Sequence, residues 1–276
     1  MELFDHSLIK RKRTVKKTLP LKPPSARKPG LAPINRSLER GLDILRAFKA
    51  GTFALGNGEI AERTGLSKST VSRLTQTLVT AGMLQLAQGR RSYHLAPLVL
   101  SLAHSMRAGS KVLATAAPLM RFTAEKYKVN IGLASPDQDE MVYLESIRYN
   151  KIASLRTVVS GQRVPMEQTS LGRAFLAVVS EEQRTKLYLH FKQNRPKKWP
   201  KLREELLHAK QSIEDKGFCF ASWQPEVLAV ATPIEVGTHI YTLNVSVSSK
   251  RDTTELIAEL APILMNLRSK IIDAIK

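Results

Sequence analysis

The chain has a single cysteine, Cys219, among its 276 residues. An intramolecular disulfide and a cysteine-rich zinc module are therefore both excluded. Acidic side chains are scarce, 24 against 43 lysines and arginines, and the formal net charge is +19. No uninterrupted apolar run approaches the ~18 residues that a bilayer span requires. The N-terminus lacks an apolar core followed by a small-residue cleavage site, so the expected location is the cytoplasm. Signatures of catalysis are missing too: there is no Gly-x-Ser-x-Gly elbow, no His-Glu-x-x-His, no Walker loop and no Gly-x-Gly-x-x-Gly opening a helix. Gly51, Gly56 and Gly58 fall between helices, which suits a loop and not a phosphate cradle. The six histidines (His6, His94, His104, His190, His208 and His239) are scattered without metal-ligand spacing. No catalytic residue, metal or cofactor is expected. Cys219 reads as a buried inert thiol, and Asp137, Asp139 and Glu140 read as a solvated turn.

What is present is a composition of 43% apolar and 24% charged residues, that of a soluble globular protein long enough for two ordinary domains. The positive excess points to polyanions, nucleic acid first and an anionic membrane surface second. Residues 1–33 hold nine lysines and arginines against Glu2 and Asp5, together with five prolines and no apolar periodicity. They read as a disordered basic arm, either a phosphate-neutralising tail or a merely solvated one. Residues 34–95 are also basic, and the excess is diluted over the rest of the chain.

Within 34–95, Ser37 is positioned to cap a helix on which Leu38, Leu42, Leu45 and Phe48 recur at helical spacing, ending near Gly51. A short helix over about 58–63 leads to Thr64-Gly65-Leu66, a tight turn in which Gly65 supplies the left-handed backbone. Ser67 caps a third helix, about 68–81, with Val71, Leu74 and Leu78 on its inner face, closed by Gly82. Ala61, Gly65 and Val71 fit the close approach, the turn and the packing of a helix-turn-helix. Residues 84–87 and 92–95 read as a hairpin wing with Arg90 and Arg91 at its tip. The third helix presents Lys68, Ser69, Ser72, Arg73 and Gln76 outward beside Ser67, residues suited to phosphates and base edges in a major groove.

These segments carry a family resemblance. Ser37-Leu38-Glu39-Arg40-Gly41-Leu42-Asp43-Ile44-Leu45 and the run from Ile60 to Leu74 resemble the helix-turn-helix of IclR-type bacterial transcription regulators. Gly161-Gln162-Arg163-Val164-Pro165-Met166, the run Thr169 to Ala177, Lys216-Gly217-Phe218 and Ala229 to Ile234 resemble that family's effector domain. The resemblance begins near residue 34 and leaves the basic arm outside. It implies an α+β protein: an N-terminal winged helix-turn-helix at 34–95, a linker helix at 96–109 that helps pair subunits, and a GAF/profilin-like effector-binding domain at 110–276. It also implies a homodimer, with a tetramer left open.

The second unit reads as a helix over about 112–128, strands at 129–135, 141–148 and 152–159, and helices near 170–179, 181–192 and 201–216. Strands at 227–235 and 239–248 follow, with a final helix at 253–274 capped by Asp252. Thr169 and Ser170 precede a helix whose Leu171 and Gly172 amides are expected to be free for an anion. On the last strand, Asn244, Ser246 and Ser248 share a face opposite Leu243, Val245 and Val247. By resemblance, Ser170, Leu171, Ser222, Ala229, Ser246 and Ser248 line a site for a small organic acid. The segment 219–228 departs from the family pattern: it reads as a shortened loop without its glycine, with Trp223 placed to stack on an aromatic ligand or to fill the pocket mouth. The reading is a DNA-binding regulator of double-stranded operator sites under a carboxylate effector. Two alternatives stay open, a non-specific nucleic-acid-coating protein driven by the arm and an enzyme domain fused to a DNA-binding module.

Overall fold

The computed structural model describes residues 35–87, 91–149, 159–224 and 226–276. The basic arm, Arg90 and most of the strand expected at 152–159 lie outside the described residues.

The N-terminal unit comprises α1 (Arg36–Arg46), β1 (Leu55–Gly56), α2 (Asn57–Thr64), α3 (Lys68–Thr80), β2 (Leu84–Leu86) and β3 (Ser92–Leu95). Its core is Ile44, Ala47, Leu55, Ile60, Val71 and Leu84. Gly65 and Gly82 both take positive φ, at +74° and +71°, as the two turns require. Two expectations are corrected here. Asn35, not Ser37, caps α1, its Oδ1 accepting from the amides of Ser37 and Leu38 at 3.1 Å. The buried stripe of α1 runs through Gly41 and Ile44, whereas Leu38 and Leu42 are 63% and 43% exposed. Leucines recurring at three and four residues fit either of two adjacent faces, and the packing of α1 on α2 and α3 through Ile44 and Ala47, with Leu45 and Phe48 beside them, decides between them. The wing hairpin forms with Leu84 opposite Leu95 and Leu86 opposite Tyr93. The unforeseen β1 adds a third strand on its other edge, giving the order β1-β3-β2.

Beyond the linker helix α4 (Pro97–Ala108) come α5 (Lys111–Tyr127), β4 (Asn130–Asp137), β5 (Glu140–Ile147), β6 (Arg163–Pro165), α6 (Ser170–Val178), α7 (Glu181–Asn194), α8 (Trp199–Lys216), β7 (Cys219–Gln224), β8 (Val227–Val236), β9 (His239–Ser248) and α9 (Thr253–Ile275). The six strands β4–β9 form one antiparallel sheet in the order β6-β5-β4-β9-β8-β7. Alternation along the strands sends Ile131, Leu133, Leu243 and Val245 to a face covered by α5 and α9, through Met120, Leu260 and Leu264. The opposite face carries Met141, Tyr143, Cys219 and Ala231 against α6, α7 and α8, through Leu171, Phe175, Leu187 and Leu206. The domain is thus an α+β sandwich of helices on both sides of one antiparallel sheet. The segment after Gly217 is not a shortened loop: it is the edge strand β7, irregular between Ala221 and Gln224. Nor is the Asp137–Glu140 turn merely solvated, because Asp137 and Glu140 are ion-paired and the Asp139 carboxylate meets the His190 ring at 3.0 Å.

Candidate nucleic-acid interface and ligand face

The start of α3 is built by Ser67, whose Oγ accepts from the Thr70 amide at 3.2 Å and bridges the Ser69 and Thr70 hydroxyls at 3.1 and 2.9 Å. The buried Val71 and Thr75 fix the inner face, Thr75 spending its hydroxyl on the Val71 carbonyl at 2.9 Å. That rotation leaves Ser67, Lys68, Ser69, Ser72, Arg73 and Gln76 all exposed along one side. Neither Lys68 nor Arg73 is drawn into an ion pair among the described residues. Their charges remain available to an external anion. At the wing, Arg91 is exposed, while Arg90 falls outside the described residues. Phe53, unremarked in the sequence and 86% exposed, stacks on His94 of β3 at 6.4 Å between ring centroids. His94 in turn meets Gln85 Oε1 at 3.2 Å.

In the second domain, α6 lies on the inner face of the sheet. Thr169 caps it: its hydroxyl accepts from the Gly172 amide at 3.3 Å and donates to the Pro165 carbonyl at 2.9 Å. The expectation that the Gly172 amide is free for an anion is therefore corrected. Gly172 is also pressed against its own chain, because a Cβ there would come within 1.9 Å of the Met166 carbonyl oxygen. Ser170 is only 2% exposed and Leu171 is fully buried. The Cys219 thiol donates to the Ser170 carbonyl at 3.6 Å, and burial pushes that thiol up to about 12, an inert group as expected.

Register places Ala229 opposite Ser246 on β9, with Ala221 and Asn130 on the flanking strands. One pleat further on, Asn244 faces Gly132 and Ala231. Ser170, Leu171, Ala229 and Ser246 are thus gathered on the α6 side of the sheet. Ser248 sits at the exposed end of β9, and Ser222 is exposed on β7, its hydroxyl donating to the Val227 carbonyl at 2.9 Å within its own hairpin. Trp223, 37% exposed, lies at the same irregularity.

Sequence reasoning missed the groups with the most unusual surroundings on this face. Gly132 leaves a gap in β4 that Tyr143 and Asn244 fill: a Cβ there would meet Tyr143 Cε1 at 2.3 Å and Asn244 Oδ1 at 2.6 Å. Burial pushes the Tyr143 phenol up to about 12, opposed by its hydrogen bond to Asn244 and by the Arg148 charge. Among the described residues, the Arg148 Nε and the fully buried Thr242 hydroxyl have no hydrogen-bond partner. Buried donors of this kind carry a desolvation penalty that a bound polar group would relieve. The alternation Asn130, Gly132, Ala134 on β4 was the available clue, since small residues in a central strand mark a place where something else approaches.

Among the described residues no cluster of three metal-ligating side chains occurs, and no helix is long and apolar enough to cross a membrane.

Residues 37–87 match the family described as the IclR helix-turn-helix domain, and residues 104–272 the one described as bacterial transcriptional regulator IclR, C-terminal. The HTH-type transcriptional regulator TsaQ1/TsaQ2 of Comamonas testosteroni is 32% identical over 66% of this chain and 66% of its own length. The Pca regulon regulatory protein of Pseudomonas putida is 28% identical over 83% of this chain and 80% of its own. A solved IclR family transcriptional regulator from Brucella abortus superposes with a TM-score of 0.79 at 32% identity, covering 88% of this chain and 93% of that one. An IclR homologue of Microbacterium hydrocarbonoxydans, solved with 4-hydroxybenzoate, shares the fold at a TM-score of 0.61 and 21% identity, over 87% and 98% of the two chains. With both domains matched in order over most of its length, the chain belongs to the IclR family of bacterial transcriptional regulators.

Proposed function

We propose that the protein is a cytoplasmic, dimeric, non-enzymatic repressor or activator that reads a partly palindromic operator and answers to a small carboxylate. The divisions expected from the sequence serve as its parts: the arm at 1–33, the DNA-binding domain at 34–95, the linker at 96–109 and the sensor at 110–276. The observation that carries the reading is the exposed side of α3, where Lys68, Ser69, Ser72, Arg73 and Gln76 stand clear of any ion pair among the described residues. In a winged helix-turn-helix this helix enters the major groove. Arg73 takes a base edge or a phosphate, Ser67 sets the start of the helix, and Arg90 and Arg91 take backbone or minor-groove contacts.

Dimerisation is supported by α4, none of whose residues is buried. Leu98, Leu100, Leu102 and Met106 are 41%, 75%, 52% and 53% exposed, a density of apolar surface that a second copy would cover. The effector site is supported by the placing of Ser170, Leu171, Ala229 and Ser246 on the α6 side of the sheet, and by the Thr242 hydroxyl two pleats along β9 and the Arg148 Nε, both without a hydrogen-bond partner among the described residues. Arg148 supplies the charge for the carboxylate, and Tyr143 and Asn244 shape the far end. Ser222, Ser248 and Trp223 belong to the rim. The solved relative holding 4-hydroxybenzoate supports a ligand of that class.

The test is selection from random or genomic duplex DNA by the purified protein at near-physiological salt. A recurring, partly palindromic motif is expected, with Arg73→Ala weakening its retention by about 5- to 150-fold, the ~1–3 kcal/mol of one good contact. Retention of DNA without any motif would overturn the regulator in favour of an arm-driven coating protein.

A further inference from the structure

The turn between β4 and β5 joins the two domains. Arg46, the last residue of α1, donates Nε and Nη2 to the Asp137 carboxylate at 3.4 and 3.3 Å. Lys49, just beyond α1, donates to Glu140 Oε1 at 3.1 Å. The same two carboxylates are held from within the sensor by Arg163 of β6, which donates Nη1 to Asp137 at 2.6 Å and Nε to Glu140 at 2.7 Å. Two cations of the DNA-binding domain and one of the sensor thus share two acids. Burial on its own would raise Asp137, yet Arg163 and Arg46 outweigh it and hold the carboxyl below its ordinary value.

This turn is wired to the ligand face. The Met166 amide donates to the Asp139 carbonyl at 3.3 Å, and the Asp139 carboxylate meets His190 of α7 at 3.0 Å. Arg163 and Pro165 are two residues apart on β6, and Pro165 accepts the Thr169 hydroxyl that caps α6. Met166 is in turn the residue against which Gly172 is wedged. Any shift at the start of α6 therefore reaches Arg163 through five residues of tightly constrained backbone. A second tie runs from the linker helix, where Arg107 meets Glu145 of β5 at 2.7 Å.

We propose that Arg46, Lys49, Asp137 and Glu140 form an interdomain clasp, braced by Arg163, whose opening and closing passes the state of the sensor to the DNA-binding domain. Half-exposed ion pairs are individually weak. That weakness is what a switch needs, because the docked and released arrangements must lie close in free energy for a modest perturbation to move the population. A buried apolar interface would hold one state only. Among the described residues no hydrogen bond or ion pair joins Arg163 to α1, so its influence there passes through the shared carboxylates.

The experiment is amide hydrogen exchange on the full-length protein without ligand or DNA, which keeps this inference separate from the operator and effector readings above. Arg46→Ala with Lys49→Ala is expected to raise exchange in residues 43–47 and 137–140 by about fivefold, the ratio that two such pairs contribute, while α5 and α9 stay unchanged. Unchanged exchange in both segments would overturn the docked state. Arg163→Ala is expected to raise exchange in residues 43–47 by about twofold or more, although no hydrogen bond or ion pair joins the two among the described residues, with Arg163→Lys restoring most of the protection. If α1 exchange stays at the parent level or slows in Arg163→Ala, the bracing role of Arg163 is wrong.

Discussion

Gly172→Ala offers the sharpest check of how α6 is seated. Gly172 is the third residue of α6, so a helix former there ought to help by propensity, alanine exceeding glycine by about 1 kcal/mol. The structure predicts the reverse. An added Cβ would lie 1.9 Å from the Met166 carbonyl oxygen and 2.4 Å from both its carbonyl carbon and its Cα, against the 3.4 Å of ordinary contact. The neighbour is backbone and cannot rotate away. Relief requires α6 to retreat from Met166 by about 1.5 Å, the difference between those two distances, which breaks the 3.3 Å cap from Gly172 to Thr169. Overpacking of this kind costs about 1–3 kcal/mol and loss of the cap adds about 1 kcal/mol. A net loss of about 3 kcal/mol remains after the propensity gain is subtracted from the upper end of that range. For a domain of this size that lowers Tm by about 6–12 °C. Calorimetry or circular dichroism on the full chain measures it directly. A Gly172→Ala protein that melts within about 2 °C of the parent, or above it, would refute the reasoning and show that the Met166 backbone yields.

Three further outcomes are expected. Arg184, 8% exposed, donates to the Leu176, Ala177 and Val179 carbonyls at the end of α6 at 2.8, 3.3 and 2.8 Å; Arg184→Met strands those acceptors, a loss of about 3 kcal/mol read as a fall of about 1 M in the urea midpoint. Thr242→Val replaces a fully buried hydroxyl that has no partner among the described residues, so the free protein should gain up to about 1 kcal/mol, about 2–4 °C in Tm, and a loss of stability would show that the hydroxyl is satisfied in solution. In Glu145, burial raises the carboxyl but Arg107 and neighbouring donors more than offset it, and Asp137 is held low in the same manner. A carboxyl depressed in the folded state contributes fully above its unfolded value and loses that contribution as pH falls through the folded one; stability should therefore hold steady from neutrality and decline below about pH 4, and Asp137→Asn should flatten that decline.

The helix-turn-helix was legible because its determinants are local. Ser67, Gly65, Gly82 and the Val71 stripe each act within a few residues, and the elements they define stand within a residue or two of expectation. Where sequence reading failed, the deciding contact was distant or the element short. Leu38 and Leu42 looked as apolar as Ile44, but only the packing of α1 on α2 and α3 selects between adjacent faces. The strand β6 has three residues, too few to show alternation, and β7 is hidden by the irregularity between Ala221 and Gln224. The acids of the β4–β5 turn looked solvated because their partners Arg46 and Lys49 lie 91 residues away in sequence. On the α6 side of the sheet, the serines of β9 were visible from period-two alternation. Tyr143, Arg148 and Thr242 were not, since their special surroundings arise from the gap at Gly132 and from sheet order.

That sheet order has a consequence during synthesis. The central pair of the sensor, β4 with β9, joins residues 130–134 to residues 242–246, so its middle ladder cannot close until almost the whole polypeptide has left the ribosome. The DNA-binding domain, with its separate core of Ile44, Ile60 and Val71, is complete long before. At about 5–20 residues per second, a nascent chain spends on the order of ten to thirty seconds with a finished DNA reader tethered to an unfinished sensor. A premature stop anywhere between β4 and β9 leaves a fragment that retains the core of the N-terminal domain and cannot close the middle of the sensor sheet. Such truncations are expected to yield a folded N-terminal domain attached to an unfolded sensor, instead of a wholly unfolded chain.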